Sequence, residues 1–118
     1  AELFEHFGIR TNTQTVQGSF CDVRYNLAAA GRKIAGTAQH WQRDQSAANR
    51  YRVLSHAVIL AADPAMLTER ANRFEQALGS ATHYRADKTT SLLEWAGAGG
   101  AATQAALQTI IKTHHTIN

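Results

Sequence analysis

A lysine within a run of small residues is the clearest chemical signal in this sequence. Lys33 lies in residues 31–39, which read Gly-Arg-Lys-Ile-Ala-Gly-Thr-Ala-Gln. A fixed ammonium can hold a carboxylate, and it can then stabilise the negative charge that develops on an acyl carbonyl oxygen. Small side chains beside it leave room for an apolar tail and let backbone amides approach closely. The segment could therefore hold a carboxylate or an acyl group, although a lone lysine on a strand is more often a solvated edge residue.

The single cysteine of the chain precedes this lysine by a short stretch. Cys21 could serve as a nucleophile if a cation lowered the pKa of its thiol, and Lys33 or Arg24 could supply that cation. A lone cysteine is also often an inert residue of the core. The sequence leaves the structural and the catalytic interpretation open.

Two further residues could contribute to such a site. Asp22 provides the hard oxygen ligand that magnesium prefers. His56 has Leu54, Val58 and Leu60 at even spacing, so the pattern favours a histidine packed in the core over a ligand-binding one. Neither the remaining histidines nor the cysteine have the spacing of a zinc site.

The residues that surround the lysine are predicted to lie on strands. Alternation predicts a strand over residues 20–29, a turn at Ala30 and Gly31, and a return strand over residues 32–41. A nearly continuous apolar run predicts a buried central strand over residues 51–61. In the return strand, period 2 places Lys33, Ala35 and Thr37 on one face, opposite Gly36 and its even-numbered neighbours.

Helices are predicted at both ends and after the last strand. Asp63 and Pro64 are suited to begin a helix that ends at Gly79, with an apolar stripe formed by Leu67, Ala71, Phe74 and Leu78. Shorter helices are predicted over residues 1–9 and 91–95, and a closing helix follows residue 100. Because the strands precede most of the helices, the order favours an α+β fold with a mixed or antiparallel sheet and flanking helices.

Composition limits the class of protein. The chain has 118 residues, enough for one domain, and 44% of them are hydrophobic while 18% are charged. No apolar run reaches the roughly 20 residues that span a bilayer, and one cysteine favours a reducing, cytoplasmic location. The basic residues are scattered, with Arg43, Arg50 and Arg52 the densest group. We therefore predict neither a nucleic-acid nor a membrane partner, and a net charge of +3 suits an acidic protein.

Residues 31–39 resemble the motif Gly-Arg-Lys-(Ile/Val)-(Ala/Ser)-Gly-(Ser/Thr)-Ala-Gln of lipoate–protein ligases and octanoyltransferases. Other features follow the order of that family: the Cys-Asp pair before the lysine, an apolar strand with His56, the helix that begins at Asp63-Pro64, and a stretch over residues 85–92. The resemblance implies that residues 1–118 are the C-terminal portion of a single catalytic domain. It also implies a class II aminoacyl-tRNA synthetase/biotin ligase-like fold.

The family carries an Arg-Arg-x-x-Gly-Gly segment ahead of this region, and the 118 residues do not contain one. The resemblance therefore implies that the N-terminal half is absent or is supplied by a partner subunit. It further implies that the chain alone is inactive and exposes apolar surface.

The resemblance implies acyl transfer. In a ligase, ATP and Mg²⁺ activate lipoate or octanoate as an acyl adenylate, which a carrier lysine then attacks. The carriers are lipoyl domains of 2-oxoacid dehydrogenases or the glycine cleavage H protein. Lys33 and Cys21 are the implied catalytic residues and Asp22 the metal ligand. The implied substrate-binding residues are Ala35, Gly36, Thr37, Ala38 and His56.

Two alternatives remain within the same resemblance. In a cysteine-dependent octanoyltransferase, Cys21 takes the acyl group from acyl carrier protein as a thioester, and ATP plays no part. In a non-catalytic binding module, the fold is kept without the reaction.

Overall fold

The chain folds into an antiparallel sheet flanked by helices. The computed structural model describes residues 1–22 and 24–115, except for the side chain of His115. In chain order the elements are α1 (Glu2–His6), β1 (Asn12–Gln14), β2 (Asn26–Ala29), β3 (Arg32–Arg43), β4 (Tyr51–Ile59), α2 (Pro64–Ala77), a 3-10 helix (Ala86–Lys88), α3 (Leu92–Ala96) and α4 (Gly100–His115). The four strands lie in the order β1-β2-β3-β4, each antiparallel to its neighbour. The α+β prediction is confirmed, whereas the synthetase/ligase-like fold stays a prediction.

A tight hairpin joins β2 to β3. Ala30 and Gly31 have φ values of 48° and 75°, the left-handed pair that a two-residue hairpin turn requires. The predicted turn is therefore confirmed. The predicted strand over residues 20–29 is too long, because β2 begins only at Asn26 and the described residues before it form turns. Val23, which that prediction included, lies outside the described residues.

An extra residue interrupts the regular pairing of β3. Ala28 pairs with Lys33, but the preceding residue Leu27 pairs with Ala35, so Ile34 is a β-bulge. Ile34 and Ala35 both lie in the core cluster, and the side chain of Lys33 lies beside Gly36. The predicted alternation is therefore wrong at Lys33, because the bulge moves this side chain to the face of Gly36.

The main core lies between the hairpin and the terminal helices. Leu3 and Phe4 of α1 and Ala106 of α4 pack with Ile34 of β3 and Leu92 of α3. Gly8 follows α1 with a φ of +71°, as expected of a glycine that ends a helix. The short N-terminal helix, the helix over residues 91–95 and the closing helix are confirmed.

The strand predicted to be central lies at an edge. β4 pairs with β3 on one side, and in the described part of the chain no strand pairs with its other side. Beyond Ala35, β3 in turn pairs with β4 alone. Residues 36–43 and 51–58 thus form a two-stranded arm, which we call the β3–β4 arm. Its apolar side chains are exposed, including Leu54 at 62% and Val58 at 65%. A continuous apolar run does not reveal which neighbours a strand has.

Helix α2 has the predicted bounds but not the predicted packing. Phe74 and Leu78 of its apolar stripe are 63% and 65% exposed, and its buried residue is Thr68. Asn72 attaches the helix instead: its Nδ2 donates to the Tyr84 carbonyl at 2.9 Å, and its Oδ1 accepts from the Tyr84 amide at 2.7 Å. Across residues 1–22 and 24–115, no helix has the length and apolar character to cross a membrane.

Candidate active site

Lys33 is a buried cation held by the loop before β2. Its side chain is only 4% exposed. Nζ donates hydrogen bonds to the carbonyl oxygens of Phe20 at 2.9 Å and Cys21 at 2.7 Å. It also lies 5.3 Å from the centre of the Phe20 ring, a cation–π distance. An ammonium has three N–H donors, and no described residue accepts the third. One donor is thus left for a ligand.

Burial changes the protonation chemistry of this lysine. Loss of hydration lowers the pKa of Lys33 from its ordinary value, and the nearby Cys21 and Asp22 offset part of that effect by raising it. The ammonium is therefore less strongly favoured than that of an exposed lysine. A group of this kind gains most from a new anionic or strongly polar partner.

An apolar cavity of about 280 Å³ opens at the Lys33 side chain. Two of the reactive residues predicted to accompany Lys33, namely Cys21 and His56, border the same space. The full lining consists of Phe20, Cys21, Lys33, Gly36, Thr37, Ala38, His56, Val58 and Leu60. The structure therefore brings the lysine, the thiol and the imidazole to one cavity. The preference for a core histidine is wrong, because His56 is exposed on an edge strand.

The thiol of Cys21 is accessible. The residue is exposed, and its φ of 50° lies in the left-handed region that side chains other than glycine seldom adopt. Such backbone strain tends to be found where a side chain must be aimed. Exposure argues against the interpretation of Cys21 as an inert core residue.

The absence of a side chain at Gly36 leaves space beside the ammonium. A Cβ at this position would lie 3.5 Å from both Cε and Nζ of Lys33, and 3.9 Å from Oδ1 of Asn26. Asn26 is fully buried, and its Oδ1 has no hydrogen-bond partner among the described residues. Ala35 differs from the prediction, because it packs in the main core and does not line the cavity.

Asp22 closes the loop that presents the thiol. Its Oδ1 accepts hydrogen bonds from the amide of Val16 at 2.8 Å and from Nδ2 of Asn26 at 2.9 Å. In the described ranges, no group of three or more His, Cys, Asp and Glu side chains comes together as a metal site. Because one oxygen of Asp22 is engaged in the loop, these residues do not by themselves fit a magnesium ion. The magnesium ligand stays a prediction.

Several residues of the site were not predicted from the sequence. Phe20, Val58 and Leu60 form walls of the cavity, and Asn26 supports the loop. Phe20 could have been noticed as the neighbour of Cys21. No sequence pattern indicated Asn26 as a site residue, because polar residues are common at the start of short strands.

A larger hollow of about 780 Å³ adjoins this cavity, since Thr37, Ala38 and His56 border both. It is open to solvent and extends to Thr13 and Ser55. Neither Lys33 nor Cys21 borders it. Chemistry therefore favours the smaller cavity as the candidate active site.

Comparison with known proteins connects this site with a class of enzymes. No protein-family model matches the chain. It is 46% identical over 111 residues to an uncharacterised protein of Cupriavidus necator, a match to 86% of this chain and 44% of that protein. It is 39% identical over 90 residues to the octanoyl-[GcvH]:protein N-octanoyltransferase of Kyrpidia tusciae, a match to 72% of this chain and 31% of that enzyme.

The chain thus spans less than half the length of either relative. It is a distant, partial relative of an octanoyltransferase, in agreement with the resemblance carried by residues 31–39.

Proposed function

We propose that the chain provides part of an acyl-transfer site for a medium-length acyl group, with Cys21 as the nucleophile that carries it. The observation that supports this most directly is the shared cavity, in which an exposed thiol and a buried ammonium border the same apolar space. A thioester enzyme needs these three parts: a nucleophile, a cation for the carbonyl oxygen and a place for the alkyl tail.

In the proposed first step, the Cys21 thiolate attacks the carbonyl carbon of the acyl donor. The bond from that carbon to the leaving group breaks, and the leaving group departs with the electron pair and takes up a proton. The product is a thioester on Sγ. The remaining N–H of Lys33 is available to the carbonyl oxygen as negative charge develops there.

In the second step, an acceptor amine attacks the thioester carbon. The carbon–sulfur bond breaks, the thiolate is restored, and the amine loses a proton as the amide forms. His56 borders the cavity, and its imidazole is the proposed acceptor of this proton. No ATP is needed, because the acyl group leaves one lysine amide of the donor and ends in another of the acceptor, so the overall exchange is close to balanced.

The dimensions of the cavity suit an alkyl tail. At about 280 Å³ it is slightly smaller than typical small-molecule pockets of roughly 300–1,000 Å³. Val58, Leu60 and Phe20 give it apolar walls, and the small residues Gly36 and Ala38 leave space within it. Because the relative acts on octanoyl-[GcvH], we propose octanoyl-lysine of the glycine cleavage H protein as donor. The proposed acceptor is a lysine of a 2-oxoacid dehydrogenase lipoyl domain.

The test is direct acylation of the purified protein by octanoyl-CoA without ATP, followed by intact-protein mass measurement. We expect one octanoyl group, released by hydroxylamine as a thioester must be. Cys21→Ser should remove the hydroxylamine-labile adduct, and Lys33→Met should slow its formation. Lys112→Met, in α4 away from the cavity, serves as the matched lysine control.

The ligase hypothesis makes a different prediction for the same protein. It requires ATP and Mg²⁺, and it releases pyrophosphate with octanoate or lipoate. Pyrophosphate release that survives Cys21→Ser would replace the thioester proposal by the ligase. If neither reaction occurs with the wild-type protein supplied with an N-terminal half, the non-catalytic module is favoured.

A further inference from the structure

The tip of the β3–β4 arm carries three arginines with no opposite charge bound to them. Arg43, Arg50 and Arg52 are exposed, and none forms a salt bridge within the described ranges. By contrast, Arg32 and Arg73 each have a carboxylate oxygen within 2.7 Å. The tip therefore has a concentrated net positive charge, on a chain whose other basic residues are dispersed.

One carboxylate, Asp44, lies among these arginines and offsets one of their three charges. Asp44 accepts hydrogen bonds from the amide of Ser46 at 3.0 Å and from its hydroxyl at 2.6 Å. Its amide donates to the Arg50 carbonyl at 2.9 Å, which closes the connection between the strands. Asp44 thus organises the loop, and the three guanidinium groups remain available to a partner.

Aromatic side chains lie next to the arginines. Trp41 and Tyr51 contact each other edge to face, with ring centres 6.2 Å apart, although they are 61% and 57% exposed. Trp, Tyr and Arg are the residue types that contribute most to binding energy at protein interfaces. The tip thus has the composition of an interface.

The arm leads from these arginines to the candidate active site. In the β3–β4 register, Arg52 faces Gln42, His56 faces Ala38 and Val58 faces Gly36. Because directly opposed residues share a face and alternate residues return to it, Arg52 lies on the same face as the cavity lining. Six residues separate Arg52 from Val58, or about 20 Å of extended strand. By the same alternation Arg43, Trp41 and Tyr51 lie on the other face, so a protein bound at the end of the arm would reach the cavity face through Arg52.

We infer that the tip formed by Arg43, Arg50 and Arg52 docks an acidic protein, the one whose acylated lysine enters the cavity. This inference rests on the proposed function, which requires a protein-bound lysine at the cavity. Charge complementarity selects the partner, since an acidic surface is what three unpaired arginines bind. Two copies joined tip to tip would bring like charges together, which is unfavourable.

The experiment measures binding of purified octanoylated glycine cleavage H protein to the full chain by isothermal titration calorimetry. We expect the triple variant Arg43→Glu, Arg50→Glu, Arg52→Glu to weaken binding by about tenfold or more, and added salt to weaken wild-type binding. The control is Arg70→Glu, an exposed arginine of α2, which should leave the affinity unchanged. Unchanged binding by the triple variant would overturn the inference.

Acylation of Cys21 by octanoyl-CoA separates this inference from the proposed function. If the small donor acylates the triple variant normally while H-protein binding is lost, both stand. If the small donor fails with the wild-type protein but the arginines still determine H-protein binding, the proposed function fails alone. If the arginines bind a single-stranded oligonucleotide but the chain does not bind H protein, the docking of an acidic protein is wrong. It is also wrong if sedimentation shows self-association that depends on the arginines.

Discussion

Lys33 Nζ donates a 2.7 Å hydrogen bond to the backbone carbonyl oxygen of Cys21. The cation therefore contacts the main chain of the very residue whose thiol borders the cavity. The position of the thiol and the position of the ammonium are thus coupled by one short hydrogen bond. A change at Lys33 alters both the charge in the cavity and the loop that carries Cys21.

The first prediction concerns the titration of Lys33. Because burial lowers its pKa, Lys33 should lose its proton below the ordinary lysine value of 10.5. The chain has three lysines, so the Cε signals of ¹³C-lysine-labelled protein can be followed separately by NMR. Lys33→Met assigns the Lys33 signal. Titration of that signal at or above 10.5 would contradict the buried environment.

The same shift has a consequence for stability. A lysine whose pKa is lower in the folded state binds fewer protons there than in the unfolded chain. The free energy of unfolding should therefore rise with pH between the folded pKa of Lys33 and its ordinary value of 10.5. Below the folded pKa the full cost of burying the charge is present. Urea unfolding across this range should show the rise, and Lys33→Met should flatten it.

A second prediction tests the space beside the ammonium. In Gly36→Ala the added methyl would lie 3.5 Å from Nζ of Lys33, an ordinary contact distance. We expect a change in stability of less than about 1 kcal/mol but slower acylation by octanoyl-CoA, because the methyl occupies the approach to the cation. Gly99→Ala is the control, since a Cβ there would meet nothing within 4 Å. Equal acylation rates for both variants would exclude this space from the acyl site.

A third prediction concerns the loop held by Asp22. Asp22→Ala removes the acceptor of the Val16 amide and of Asn26 Nδ2. The loss should cost about 1–3 kcal/mol, because both donors are then left unpaired at a buried site. Hydrogen exchange of the Val16 amide should accelerate more than exchange in α4. Asp87→Ala is the matched control, as its exposed pair with Arg85 contributes at most about 1 kcal/mol. Slow exchange at Val16 in the variant would show that another group supports the loop.

A fourth prediction concerns the segment packed beside the β3 lysine. Arg32 binds Glu94 at 2.7 Å, and this bond, followed by that from Thr90, lowers the pKa of the Glu94 carboxyl. The ionised Glu94 should therefore stabilise the fold fully at pH values above 4.5, the ordinary pKa that we take for the unfolded chain. This stabilisation should disappear as the pH falls through the lower pKa of the folded state. The carboxylate is 46% exposed, so we expect less than about 1 kcal/mol. In acid unfolding, Glu94→Gln should lose this pH-dependent part of the free energy of unfolding. The control Glu69→Gln, on α2, should retain it.

Local signals in the sequence were sufficient for several elements. The turn at Ala30 and Gly31 follows from a glycine that accepts positive φ, and α2 follows from Pro64 at its start and Gly79 beyond its end. These features depend on a few neighbouring residues. Lys33 was identified through its motif, and Cys21 and His56 line its cavity; the roles that the resemblance implies for these residues stay predictions.

Other features depend on partners that a local pattern does not contain. The apolar run of β4 predicts burial, but its edge position is a property of the sheet order. The stripe of Phe74 and Leu78 predicts a packed helix face, yet α2 is attached through Asn72. The role of Asn26 depends on the distant placement of Gly36. Each is decided by tertiary contacts and could not be read from spacing.

The bulge at Ile34 has a consequence for how such segments are compared. One inserted residue changes the phase of the strand, so that Lys33 and Gly36, three residues apart, share a face while Ile34 and Ala35 both turn inward. In a regular strand of the same sequence, Lys33 and Gly36 would lie on opposite faces. The three-residue spacing from lysine to glycine therefore encodes a change of phase, and deleting Ile34 would keep the two on one face only by removing a side chain from the core.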